Sequence, residues 1–196
     1  MPSPDLIRER LAQVQAQVGD GVTVVAATKY VSLRDMAALV DAGVRDVGEN
    51  RAQDLEAKHA EYGDAFRWHF IGHLQSNKVK VVNRICVLVH SLDSLSAAAR
   101  LEVPALVQVN LAGEETKSGV APHELPAFLG SDVRGLSTMP PAASAPEASR
   151  PWFARLRALA EQHGLRELSM GTTQDYAVAA EEGATYVRVG AVLFGD

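Results

Sequence analysis

A rhythm in the chain constrains its fold more than any other feature: short apolar runs alternate with longer amphipathic stretches, eight times over. The runs fall at 22–28, 44–47, 68–71, 85–89, 105–109, 133–136, 167–170 and 186–189. In the first, Val22, Val24, Val25 and Ala26 are too continuously apolar for a strand with one wet face, so both faces are expected to be covered. Between the runs, apolar residues recur at helical spacing. Ser3 is placed to cap a helix with Pro4 at its first position, and Ile7, Leu11, Val14 and Val18 share one face. Ser32 opens a second helix carrying Met36, Leu39 and Val40, which Gly43 closes. Further helices are expected at 51–62, 74–81, 94–101, 122–129, 146–163 and 174–182.

Alternation of this kind implies a parallel sheet with right-handed crossovers. Eight units predict an α/β chain closed as a (β/α)8 TIM-type barrel, one domain over residues 1–196. Residues 1–20 are expected to form an N-terminal helix packed on that barrel. A doubly wound open sheet is the alternative. Barrels run from roughly 200 residues upward, so the 196 residues here leave room only for brief loops. The one low-complexity stretch is Pro140–Pro146.

Charge and cysteine usage narrow the partners. Lys and Arg number 19 against 24 Asp and Glu, a formal charge of -5. That balance disfavours general binding to nucleic acid or to an anionic membrane, so any anionic ligand needs a local site. The lone Cys86 sits in the run Ile85–Val89, which predicts a buried, inert thiol. No run of 18 apolar residues occurs and the first residues lack a signal-peptide pattern, so a cytoplasmic protein is expected.

Chemistry in a barrel gathers where strands end. The polar residues just past each run are Thr28-Lys29, Glu49-Asn50, His73, His90-Ser91, Asn110, Ser137-Thr138, Thr172-Thr173 and, after Gly190, only the backbone of Ala191. His69 and Arg188 lie within runs. Lys29 ends a buried strand, so a partly desolvated ammonium is expected there. Desolvation favours the neutral amine, the nucleophile that forms Schiff bases. The competing reading is a lysine that reaches past the strand end into solvent. The glycines of Gly171-Thr172-Thr173 and Gly190-Ala191 would let backbone amides approach an anion, where barrels commonly bind phosphate. Ordinary tight turns with a threonine cap are the competing reading. A Schiff-base lysine facing a phosphate cradle describes a phosphorylated aldehyde: either pyridoxal 5′-phosphate (PLP) or a sugar phosphate of the kind lysine aldolases handle. Spacing alone leaves both open.

Several stretches resemble one family. Val25-Ala26-Ala27-Thr28-Lys29, Asp46-Val47-Gly48-Glu49-Asn50 and Trp68-His69-Phe70-Ile71-Gly72-His73-Leu74-Gln75-Ser76-Asn77-Lys78 occur in order. Leu106–Asn110, Lys117-Ser118-Gly119, Leu168-Ser169-Met170-Gly171 and Val187-Arg188-Val189-Gly190 follow. From about residue 22 onward the chain is similar to the YggS/PROSC family of PLP homeostasis proteins. The resemblance implies a barrel like the N-terminal domain of alanine racemase, with PLP held covalently as a Schiff base on Lys29. It implies that Ser169, Gly171, Thr173 and Gly190 hold the phosphate, with the backbone amide of Ala191. Arg188 would face the pyridine nitrogen and Asn50 would lie near the ring. His69 is either close to the site or a packed strand histidine. The chain departs from the family pattern at Val31, where a second lysine is usual, at Gly171-Thr172-Thr173 for Gly-Met-Ser, and at Ser137-Thr138-Met139. Thr173 keeps the hydroxyl.

Arginine beside the pyridine nitrogen disfavours its protonation and so weakens the ring as an electron sink. The expectation is therefore a non-catalytic carrier that buffers PLP or delivers it to PLP-dependent apo-enzymes, as a monomer or weak dimer. A racemase-like PLP enzyme and a Schiff-base aldolase are the alternatives.

Overall fold

The computed structural model describes residues 1–114, 118–130 and 132–195. Lys117 of the expected Lys117-Ser118-Gly119 motif lies outside them. Eight strands, all parallel, close into a barrel in sequence order: β1 (Thr23–Ala27), β2 (Asp46–Glu49), β3 (Arg67–Phe70), β4 (Leu88–Leu92), β5 (Ala105–Gln108), β6 (Val133–Ser137), β7 (Glu167–Ser169) and β8 (Tyr186–Val189). β8 closes the ring on β1, with Val25 beside Arg188 and Ala26 beside Val189. The open-sheet alternative is thereby excluded.

The helices are α1 (Pro4–Val18), α2 (Met36–Asp41), α3 (Ala52–Tyr62), α4 (Val79–Ile85), α5 (Leu95–Ala98), α6 (Arg150–Gln162), α7 (Tyr176–Glu181) and α8 (Ala191–Phe194). Helix α1 is capped as its sequence dictates: Leu6 N–H donates to the Ser3 hydroxyl, and Pro4 occupies the first turn. It packs against α2, α7 and α8.

Three expectations need correction. The helix expected over 74–81 begins only at Val79 and runs on to Ile85. The fourth strand begins at Leu88, three residues after the predicted start. Ile85 closes α4 instead, and Cys86 N–H caps that helix by donating to the Val82 carbonyl. A continuous apolar run has no period, so the run 85–89 hides a helix end, a turn and a strand start. As a result His90 and Ser91 lie inside the strand, not after it. The segment 122–129 also differs. It is a 3-10 turn over Pro122–Phe128, where Pro126 supplies no N–H for an α-helical ladder.

Neighbours in register on parallel strands point the same way. The main core lies outside the barrel, where Val24, Ala26, Val47, Trp68, Phe70, Val107 and Val187 meet the helices. The inside is a different surface. Val25, Leu88 and Leu106 are its buried aliphatic residues. Register places Gly48 beside His69, Ser137 beside Ser169 and Val25 beside Arg188, so polar side chains share that inner face. The barrel is packed, but much of its packing is hydrogen-bonded.

Candidate cofactor site

Strand β1 ends at Ala27, and the next residue is anchored from beneath. Thr28 N–H donates to the Gly48 carbonyl at 3.0 Å, and its hydroxyl donates to Glu49 Oε1 at 2.5 Å. Lys58 Nζ, reaching over from α3, donates to the Thr28 carbonyl at 2.8 Å and pairs with Glu49 Oε1 at 2.5 Å. Both members of this ion pair are buried. The turn that presents Lys29 is therefore held on three sides.

Lys29 itself corrects an expectation. It is exposed, with its ammonium 5.0 Å from the centroid of the Tyr30 ring. The strand stops two residues earlier, and the four-carbon stem carries the charge to solvent and to the face of an aromatic ring. The partial desolvation expected of it is not found.

On the neighbouring strand β8 stands Arg188, only 8% exposed. Its Nη1 donates to Ser169 Oγ and its Nη2 to the Thr138 carbonyl, both at 3.0 Å. Met139 Sδ lies 3.1 Å from Nη2. Burial pushes the guanidinium down to about 10, opposed by the Asp175 carboxylate, so the group remains a cation at neutral pH. Beside it, the Thr173 hydroxyl accepts from the amides of Gly190 at 3.2 Å and Val192 at 3.3 Å. Ala191, exposed, begins α8. A Cβ on Gly190 would sit 3.3 Å from the Ala27 carbonyl oxygen, so glycine brings this turn close to the end of β1.

These residues line one cavity of 530 Å³ on the C-terminal face. Lys29, Thr173, Arg188, Gly190 and Ala191 all contribute to its wall. An amine, a buried guanidinium and a turn of amides and a hydroxyl form a donor set that suits a phosphorylated aldehyde. Four other expected residues are placed elsewhere. Ser169 is fully buried inside the barrel and bonded to Arg188. Gly171 is buried under α7, with φ at +91°. Asn50 is half-buried and lines a neighbouring 380 Å³ cavity with His73 and Lys78. His69 is buried within the barrel between Asp46 and His90.

Sequence reasoning missed Asp46, Lys58 and the interior position of His90. The signal was present at period two. Asp46 and Gly48 on β2, Arg67 and His69 on β3, and Leu88 and His90 on β4 alternate onto one face. Cys86 is buried, and burial pushes its thiol up to about 12, as an inert cysteine requires. Among the described residues no group of three or more His, Cys, Asp or Glu side chains is arranged to hold a metal ion. Among the described residues no helix is long and apolar enough to cross a membrane.

Comparison with known proteins shows the family and the fold. The family model for the N-terminal domain of alanine racemase matches residues 3–196. A pyridoxal phosphate homeostasis protein of Deinococcus radiodurans is 41% identical over 203 residues, covering 96% of this chain and 95% of that protein. Another, of Aquifex aeolicus, is 37% identical over 216 residues, covering 97% and 95%. The structure of PipY of Synechococcus elongatus PCC7942 with PLP bound superposes with a TM-score of 0.84 at 33% identity. That match covers 96% of this chain and all of PipY. Alanine racemase of Corynebacterium glutamicum, at 15% identity and a TM-score of 0.75, shares the fold.

Proposed function

This chain belongs to the alanine racemase N-terminal-domain family, in its pyridoxal phosphate homeostasis branch, and on that premise we propose that it binds PLP in the 530 Å³ cavity and buffers or delivers it. The observation that carries this reading is the convergence of Lys29, Arg188 and the β8–α8 turn on one cavity. The PLP-bound structure of PipY, a relative covered over its whole length, supports it.

Lys29 would be the attachment point: its neutral amine would condense with the aldehyde carbon, and the two amine protons would leave with the aldehyde oxygen as water. Thr173 and the amides of Gly190 and Ala191 hold the phosphate, since hydrogen bonds to a charged group are each worth about 1.5–3 kcal/mol. Ser169, Gly171 and His69 act from the layer beneath, and Asn50 from the rim. When bound, PLP supplies an electrophilic aldehyde and a conjugated ring. Arg188 limits the use of that ring. Placed at the pyridine nitrogen, as the family resemblance implies, this buried cation would oppose the nitrogen's protonation, which supports retention over turnover. The protein is read as a cytoplasmic carrier, monomer or weak dimer, whose recipients are PLP-dependent apo-enzymes.

The test is chemical. The protein is incubated with PLP, reduced with borohydride, digested and mapped by mass spectrometry. The reduced cofactor is expected on the peptide containing Lys29, and Lys29→Ala should remove the visible band while the far-UV circular dichroism stays native. Label confined to Lys58 or Lys78 would overturn the assignment. Purified protein should exchange no α-proton of D- or L-alanine beyond the free-PLP background; exchange well above it would make the chain an enzyme.

A further inference from the structure

A hydrogen-bonded chain crosses the barrel interior and ends on Arg188. Arg188 Nη1 donates to Ser169 Oγ at 3.0 Å. Ser169 Oγ lies 2.7 Å from His90 Nδ1, and His90 Nε2 lies 2.9 Å from His69 Nδ1. His69 Nε2 lies 2.9 Å from Asp46 Oδ1. The two histidines and the serine are 0–1% exposed. The bond from His90 on β4 to Ser169 on β7 spans the ring, which only inward-facing side chains can do.

The donors fall into one order. Arginine only donates, and an ionised aspartate only accepts. With Asp46 accepting, His69 carries its proton on Nε2, so its Nδ1 accepts. His90 must then donate from Nε2, so its own Nδ1 accepts, and the Ser169 hydroxyl donates to it. The serine lone pairs are left for Arg188. Every bond is satisfied by two neutral imidazoles and by no other arrangement of neutral rings. Burial, His69 and Arg188 all hold His90 well below the ordinary imidazole value of 6.5, which keeps it neutral. The other ionisable groups around the chain are Arg67, 3.5 Å from Asp46, Tyr186, whose ring packs on both imidazoles, and Glu167, 3.4 Å from the Tyr186 hydroxyl. Asp175 acts on Arg188 from outside the ring.

We propose that His90, held in one tautomer by His69 and Asp46, is a positioning residue for Arg188: by accepting the Ser169 proton it leaves the serine oxygen to fix the guanidinium in the cavity wall. The remaining Arg188 donors then meet the ligand at a set angle. This rests on the reading of the cavity as a PLP site.

Substitutions divide the chain at His90. Asparagine places an acceptor near the Nδ1 position and can still take the Ser169 proton, whereas leucine cannot. In His90→Leu, and in the sterically milder Ser169→Ala, PLP dissociation should accelerate about tenfold, the effect of losing roughly 1.4 kcal/mol. The pH midpoint of the visible band should also move. His90→Asn should restore both toward the wild-type values. Nitrogen-15 NMR of the protein without PLP should show His90 protonated on Nε2 from pH 6 to 8. A proton on Nδ1 there, or a Ser169→Ala protein with wild-type release rate and band midpoint, would overturn the proposal. Failure of the wild-type chain to bind PLP would overturn the cofactor reading instead, and the NMR result would still decide the tautomer.

Discussion

At Gly171 the backbone turns with φ at +91°, and a Cβ built there would lie 2.5 Å from the Cβ of Ala179. Two costs coincide. A left-handed conformation costs an L-residue about 1–2 kcal/mol, and overpacking a tight contact costs about 1–3. Gly171→Ala should therefore destabilise the fold by about 2–5 kcal/mol in urea denaturation, a loss visible whether or not PLP is present. A loss below about 1 kcal/mol would mean that α7 moves aside freely. The residue thus belongs to the site in an indirect way. Its carbonyl accepts from Arg188 N–H at 3.0 Å, so the turn it permits ties β7 to the strand that carries the guanidinium. Sequence reading placed Gly171 beside the phosphate because glycine permits close approach. The approach it permits here is to a helix.

Among the elements, the turn after β1 depends on α3. Lys58 and Glu49 are buried together, and the second carboxylate oxygen, Glu49 Oε2, has no hydrogen-bond partner. Removing one partner of such a pair leaves an uncompensated charge and costs about 3–5 kcal/mol, whereas replacing both by apolar groups is often near neutral. Lys58→Met should accordingly be destabilised by that amount in chemical denaturation, and Glu49→Leu with Lys58→Met should recover most of it. A double variant as unstable as the single one would refute the pairing. The doubly substituted protein should nonetheless lose PLP faster, because the Thr28 carbonyl loses its donor and Lys29 its anchored turn. The helix–strand rhythm was legible in the sequence except at 122–129 and around the start of β4, since burial outside the barrel follows simple periodicity in Trp68, Phe70 and Val107. Lys29, Thr173, Arg188, Gly190 and Ala191 were legible as a group because each lies in the last residues of a strand or just past one. The Glu49–Lys58 pair was not legible. Nothing local marks a lysine nine residues along as the partner of a strand-end carboxylate, and the lysine reads as an ordinary helix-surface residue. The start of β4 was hidden for a different reason, because Ile85, Cys86 and Val87 are apolar in any conformation.

For the whole molecule, the interior hydrogen-bonded chain links stability to pH. His90 is neutral in the fold, held well below 6.5 by burial, by His69 and by Arg188, but in the unfolded chain it titrates near 6.5. Below that value the unfolded state binds the additional proton, so stability falls as the pH drops and is level above it. Between pH 7.5 and 5.5 this one group should cost up to about 1.4 kcal/mol. Denaturant unfolding at the two pH values measures the loss, and His90→Asn, which has nothing to titrate there, should flatten the dependence while lowering stability overall. An unchanged slope in that variant would place the missing protons on another group. The proton goes to the unfolded chain, so within the fold His90 keeps its neutral form and its hold on Arg188, and PLP release should stay level over the pH range in which stability falls. Release that quickens between pH 7.5 and 5.5 while His90→Asn releases at a constant rate would mean that His90 takes up its proton inside the fold and would overturn this account; release independent of pH in both proteins would bear it out.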